Sequence, residues 1–299
     1  MPPLARPWAS LLLVAAALTA CACRKKTEDP HRPVELVLPD AARLDEPHTT
    51  GVSLPSFACG APVPKEAPGS KKSLDERTYR VFPPEGYDAN KALPLVLAFH
   101  GYGSDGGGFQ KWFRMEDFVD RRALVVYPDA IGGAWDLGGD RDIDFVEKLV
   151  KAVGKQYCID YAKVLAFGFS YGAKFAHHLG CTRANLVKAI AGGDGSFGGP
   201  STSCGLLPVL VTHRTHDDDE LLSWGKGAVD TWVGAAGCAK TPEPVDPTHG
   251  CVRYPGCRAP ASVTFCEDTY FDPTWKHEWN HTVREEYRAL TWTWFAALP

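Results

Sequence analysis

Beyond residue 75 the chain alternates short apolar runs with stretches in which apolar residues recur every three or four positions. The runs Leu93–Phe99, Leu124–Tyr127, Val164–Phe167, Val187–Ala191, Val209–Thr212 and Val263–Phe265 are bounded by glycine, proline or charge. Short, continuously apolar runs of this kind read as strands buried on both faces. The best helical pattern is Phe145–Tyr157, where Val146, Leu149, Val150 and Val153 form one stripe that faces a core. A second, Ala173–Leu179, follows the run Val164–Phe167. Strands that are apolar on both faces need helices on both sides. The alternation therefore predicts an α/β fold with a mostly parallel sheet covered by helices on both faces.

The pattern before residue 75 is different. Arg6 precedes an apolar stretch, Leu11–Leu18, too short for a stable bilayer span and suited to a signal peptide. It ends in Leu18-Thr19-Ala20-Cys21, which resembles the bacterial lipobox, whose cysteine is lipidated and becomes the mature N-terminus. Ala22, rather than aspartate, resembles lipoproteins sent to the outer membrane. The following residues are rich in proline, charge and small side chains and read as a flexible tether. The expected organisation is a lipoprotein signal peptide over 1–20, a tether over 21–74 and one domain over 75–299. This predicts a lipid-anchored protein of the bacterial cell envelope, at the outer membrane or cell surface, or a secreted one.

Cysteine usage fits an oxidising compartment. Of ten cysteines, Cys21 is set aside for lipid and Cys23 falls in the tether, leaving enough for four disulfides. Cys238, Cys251, Cys257 and Cys266 crowd the segment Gly237–Glu267, which reads as a disulfide-stapled excursion before the last helix, with Cys251–Cys257 as a local bridge. Cys158 and Cys181 flank a strand and a helix that they could pin together. The C-x2-C pairs of a zinc ribbon are missing. A net charge of −4 without a basic run argues against a nucleic-acid partner.

Between that strand and helix lies Gly168-Phe169-Ser170-Tyr171-Gly172. G-x-S-x-G on a strand–turn–helix junction is a nucleophile elbow: the sharp turn presents a serine hydroxyl at the top of the sheet, in front of a helix N-terminus. An elbow serine is followed in the chain by an acid and then a histidine. The run Pro208–His213 empties into Arg214-Thr215-His216-Asp217-Asp218-Asp219, so an acid there stands on the serine's rim of the sheet; Asp217 is the first choice and Asp218 the next. Later, Trp275-Lys276-His277-Glu278-Trp279 makes His277 the expected base, with His281 as competitor. The loop His100-Gly101-Tyr102-Gly103 offers the Tyr102 N–H as one oxyanion donor and the elbow offers the Tyr171 N–H as the other.

His277-Glu278-Trp279-Asn280-His281 matches the H-E-x-x-H zinc signature, which needs both histidines on one helical face. Thr282-Val283-Arg284-Glu285 reads as a capping box that starts the last helix at Thr282, which puts both histidines in loop. No metal or other cofactor is expected. His177 and His178 are adjacent on a helix and point different ways, as packing or surface residues do.

His100–Gly103, Tyr127-Pro128-Asp129, Trp135-Asp136, Asp142–Val146, the elbow and His277-x-Trp279 together resemble the polyhydroxybutyrate depolymerase and feruloyl esterase family of α/β-hydrolases, over roughly residues 75 to 299. The resemblance implies the α/β-hydrolase fold and a secreted serine esterase acting on polyesters, or on feruloyl or acetyl esters of plant polysaccharides. It places the triad at Ser170, Asp217 and His277. The chain departs from the family pattern at Arg214, where glycine is usual, and at Lys276 and Asn280-His281. A neutral histidine base predicts a rate that rises with pH through about 6.5. Trp112, Trp135, Trp275 and Trp279 fall in rim loops that suit aromatic or sugar rings, whereas Trp292 and Trp294 suit a core. The rival reading is a surface lipoprotein that uses a hydrolase fold to bind polysaccharide or polymer, motivated by Arg214 and His216 in the acid loop.

Overall fold

The computed structural model describes residues 53–199, 204–274 and 280–299. Ten strands form one sheet in the order β1-β2-β4-β3-β5-β6-β7-β10-β9-β8. They are β1 Lys71–Leu74, β2 Arg77–Phe82, β3 Leu93–Phe99, β4 Leu124–Pro128, β5 Ile159–Phe169, β6 Ala189–Gly193, β7 Pro208–Arg214, β8 Glu243–Asp246, β9 Cys251–Tyr254 and β10 Ser262–Asp268. The centre, β4 through β10, is parallel, and antiparallel strands finish both edges. Five α-helices cover the sheet: α1 Gly106–Phe113, α2 Arg141–Gly154, α3 Tyr171–Thr182, α4 Leu222–Ala236 and α5 Glu285–Ala296. Helices α2, α3 and α4 bury their apolar stripes in one core and α1 and α5 bury theirs in a second. This is the α/β-hydrolase architecture.

The central strands follow the apolar runs because their side chains meet a core on both faces: all of Leu95 to Phe99 is buried. The edge strands escape a pattern search. β1 alternates exposed and half-buried residues and β8 carries Pro244, which only an edge strand tolerates. Helix α2 starts at Arg141 and ends at Gly154, four residues earlier at its start than the apolar stripe suggests. Its first turn is polar yet buried, because Asp142 accepts from Arg77 Nη1 at 2.5 Å, the Asp136 N–H at 2.6 Å and Arg141 Nη2 at 3.0 Å. Burial alone would raise the Asp142 carboxyl, but these bonds outweigh it and hold the group below the usual carboxylate range. Asp142→Ala leaves Arg77 buried without its partner, and we expect a cost of about 3–5 kcal/mol. Because the folded-state pKa is depressed, that stability is present above the ordinary carboxylate value and is lost as pH falls. Thermal melts should show a large deficit for the variant at neutral pH that narrows as pH is lowered.

Several expectations are corrected. Residues 53–74 do not fit a tether. Ser56 N donates to Ile159 O at 2.8 Å, Cys59 is bonded to Cys158, and β1 belongs to the sheet. The other bridges are Cys181–Cys204, Cys238–Cys257 and Cys251–Cys266, so neither Cys251–Cys257 nor a Cys158–Cys181 link forms. Cys251 and Cys266 face each other on neighbouring strands, which sequence spacing does not reveal. The segment Gly237–Glu267 is stapled by Cys238–Cys257 and Cys251–Cys266 and builds β8, β9 and almost all of β10, which pairs with β7 inside the parallel core. Helix α5 begins at Glu285, not Thr282, with Arg284 as an extended N-cap residue. His177 and His178 are both buried packing residues. Trp135 is core, stacked on Phe175, while Trp112 is partly exposed. The signal peptide and Cys21 lie outside the described residues.

Candidate active site

The register aligns the C-terminal ends of adjacent parallel strands. Phe99 of β3 lies beside Gly168 of β5, Phe169 beside Gly193 of β6, Gly193 beside Thr212 of β7, and Arg214 beside Asp268 of β10. Five loops therefore leave the sheet along one rim, where α/β folds place their sites.

Ser170 follows β5 directly and sits at φ 53°, ψ −119°, a conformation that only a tightly held turn sustains. Its N–H donates to Gly193 O at 2.9 Å and its carbonyl accepts from the Ala173 N–H at 2.9 Å. Both elbow glycines are needed for space: a Cβ on Gly168 would lie 1.9 Å from Gly172 O, and one on Gly172 would lie 2.2 Å from Phe99 O.

The loop after β3 packs against the serine, since a Cβ on Gly101 would stand 3.4 Å from Ser170 Cβ. His100 shapes this loop. Its Nε2 accepts from the Ala130 N–H at 3.0 Å, which leaves Nδ1–H to donate to Gly101 O at 2.8 Å. Burial lowers the His100 pKa and keeps the ring neutral, as both bonds require. Trp135 Nε1–H adds a bond to His100 O at 2.9 Å, and Gly103 N–H donates to Gly133 O at 2.9 Å. In a planar trans peptide the N–H opposes the C=O, so turning Gly101 O towards His100 turns the Tyr102 N–H the other way. The Tyr171 N–H, at the first position of α3, has no acceptor within its helix. Neither amide meets a protein acceptor among the described residues.

Asp217, on the loop after β7, is buried. Its Oδ1 accepts from the Asp219 and Glu220 N–H groups, both at 2.9 Å, and its Oδ2 accepts from His281 Nδ1–H at 2.7 Å. The histidine on this acid is thus His281. The expected base, His277, lies outside the described residues. His281 occupies the bend before α5, and its ring packs on Phe169, the residue before Ser170, at 4.8 Å between centroids. With Nδ1–H given to Asp217, Nε2 keeps its lone pair, the form a general base needs. Lys174 on α3 pairs with Glu220 at 2.6 Å and ties the elbow helix to the acid loop.

Asp194, after β6, was not singled out in the sequence. Like Asp217 it is an acid placed directly past an apolar strand, in Ala189-Ile190-Ala191-Gly192-Gly193-Asp194, and that signal was available. It is wholly buried; burial first, and the nearby Asp217 second, push its carboxyl well above the ordinary range. Its Oδ1 accepts from the Arg214 N–H at 2.7 Å. Asp194, His213 and Asp217 place potential ligand atoms within 4.8 Å of one another. Asp217 is bonded as above and His213 Nε2–H donates to Glu220 O at 2.7 Å, with burial lowering the ring's pKa; among the described residues His213 Nδ1 meets no hydrogen-bond partner. The cluster reads as a hydrogen-bonded bed under the acid loop.

No family profile matches the chain. Curated relatives do. It is 28% identical over 204 residues to feruloyl esterase C of Emericella nidulans, covering 63% of this chain and 74% of that one. It is 26% identical over 231 residues to feruloyl esterase D of Neurospora crassa, covering 71% and 80%. The chain is a serine esterase related to the feruloyl esterases. Among solved structures, the acetyl xylan esterase from Aspergillus awamori superposes on the esterase with a TM-score of 0.56 at 16% identity, over 76% of this chain and all of that one. That likeness concerns the fold. Four disulfides in the esterase suit an oxidising, extracellular setting.

Proposed function

We propose that this esterase cleaves feruloyl or acetyl-type esters through an acyl-enzyme on Ser170, with His281 as general base and Asp217 as its orienting acid. The observation that carries the reading is the 2.7 Å bond between Asp217 and His281 on the rim that also presents the elbow serine. His281 Nε2 takes the Ser170 proton as Oγ attacks the ester carbonyl and then delivers it to the leaving alcohol. Asp217 holds the ring in that tautomer and stabilises the imidazolium. The Tyr102 and Tyr171 N–H groups receive the oxyanion, an effect worth about 3 kcal/mol per donor in a comparable protease. Water then enters by the same route and releases the acid.

The acyl class follows the relatives, which are named for feruloyl esters. Two side chains agree with a flat acyl group. Tyr102 is 74% exposed and meets the Tyr171 ring edge to face at 5.7 Å, beside both amides. Aromatic faces of this kind stack on planar groups. The decisive test of the mechanism is a fluorophosphonate reaction on the folded protein, read by peptide mapping. One stoichiometric adduct on Ser170, lost after boiling, is expected. A folded protein that takes none would overturn the reading and favour a binding role. We further propose that Cys21 carries a lipid, on the strength of the Leu18-Thr19-Ala20-Cys21 tetrad. Cys21→Ala should move the protein from the membrane to the soluble fraction of a bacterial host, and unchanged fractionation would refute the anchor.

A further inference from the structure

The acid and the base come from loops that leave the sheet at different places, yet one carboxylate holds both loops. We propose that Asp268 is a positioning residue that sets Asp217 against His281 through Arg214 and Arg284; the proposal rests on the Ser170–His281–Asp217 reading.

Asp268 ends β10, is buried, and lies in register beside Arg214, which ends β7 three residues before Asp217. On the other side stands Arg284, three residues after His281. Its guanidinium grips the carboxylate with both arms, Nε–H to Oδ2 and Nη2–H to Oδ1, each at 2.7 Å. A planar fork on a carboxylate fixes direction as well as distance. Arg214 brings its Nε within 3.9 Å of the same Oδ2 and donates from Nη2 to Tyr270 O at 3.0 Å. Thr215 N–H closes the acid loop onto Asp268 O at 2.9 Å, and the Tyr270 N–H donates to Oδ1 at 3.1 Å. Arg284 stays extended as the N-cap residue of α5, so the fork also fixes where the helix starts and where the bend carrying His281 must end.

The network accounts for one departure from the family pattern, Arg214. Arg214 stands where the family pattern has glycine and is almost fully buried, so it needs an anion within the protein. Asp268 supplies that charge. Arg284 then joins the anion to the base loop, its remaining arm, Nη1–H, resting on Glu286 at 2.7 Å. The acid loop is thus held by an ion cluster at a position where the family pattern has glycine.

None of the three side chains is a candidate to touch substrate, so their loss should lower kcat and leave KM in place. The test uses Arg284→Gln, which keeps the buried Arg214–Asp268 pair and changes a side chain near the surface. With active sites counted by fluorophosphonate titration, kcat on a small aryl ester should fall roughly 10- to 100-fold, the effect of a sub-ångström to ångström misplacement of catalytic groups, with KM within about twofold. The rate of Ser170 phosphonylation should fall by the same factor, and Arg284→Lys, which keeps charge without the fork, should recover only part. Asp268→Asn should fall at least as far, and the double variant should be no worse than Asp268→Asn alone, because both act through one contact. If Asp268→Asn fails to fold, the Arg284 variants decide. A folded Arg284→Gln with unchanged kcat, or with KM raised and kcat intact, would overturn the proposal. A wild-type protein without turnover or Ser170 adduct would instead bring down the functional reading and this one with it.

Discussion

Ser170→Ala should abolish ester turnover, by about 10⁴- to 10⁶-fold in kcat, and leave the protein folded. The substitution removes Oγ and nothing else. The backbone at φ 53° is held by the bonds to Gly193 and Ala173, neither of which involves the side chain. A loss of this size corresponds to roughly 5–8 kcal/mol of transition-state stabilisation. The residue left over is what oxyanion donors and substrate positioning achieve by themselves, so KM should change little. Initial rates on an aryl ester, with the melting temperature measured alongside, check both halves. Turnover retained within tenfold in a folded Ser170→Ala protein would mean that the elbow does not supply the nucleophile.

His281→Ala should cost nearly as much, because a serine hydroxyl without its base is a poor nucleophile and triad members fail as a unit. His277→Ala should keep turnover within a few-fold. The contrast is the informative quantity, since the two histidines lie four residues apart and either satisfies the chain order of acid then base. His281 is favoured on geometry: its Nδ1 meets Asp217 Oδ2 at 2.7 Å and its ring rests on Phe169. Asp217→Asn should lie below wild type by about 10⁴, through loss of the correct tautomer, with the fold preserved by the Oδ1 bonds that an amide oxygen can still accept. The reverse result, with His277→Ala inactive and His281→Ala active, would return the base to His277 and make the Asp217–His281 bond structural.

How far the chain could be read follows from the range of the forces involved. The central strands were legible because Leu93–Phe99 and Pro208–His213 are apolar on both faces, and such runs have few other homes. The elbow was legible because its two glycines answer a steric demand from neighbours in space that is nonetheless met locally in sequence. The place of Asp217 on the rim was legible for a similar reason, since it follows its strand within a few residues. Edge strands were not, because β1, β8 and β9 are short and half-exposed and are made by pairing, which depends on partners elsewhere in the chain. The tether's expected end at residue 74 failed for the same cause. Polar, proline-rich sequence looks unstructured until Cys59 finds Cys158, 99 residues further along the chain.

The sequence by itself determined the class of fold, the sharp turn at Ser170 and the loop that carries Asp217, because each depends on residues close together in the chain. Tertiary structure alone decided which cysteines pair, which histidine meets Asp217, and why Arg214 can stand in place of a glycine. Those outcomes rest on contacts between segments far apart in sequence: Cys251 with Cys266 across adjacent strands, His281 with Asp217, and Arg214 with Arg284 through Asp268. A charge at position 214 reads as an irregularity along the chain, and it becomes intelligible only when the sheet brings β7 beside β10 and sets a buried carboxylate against it.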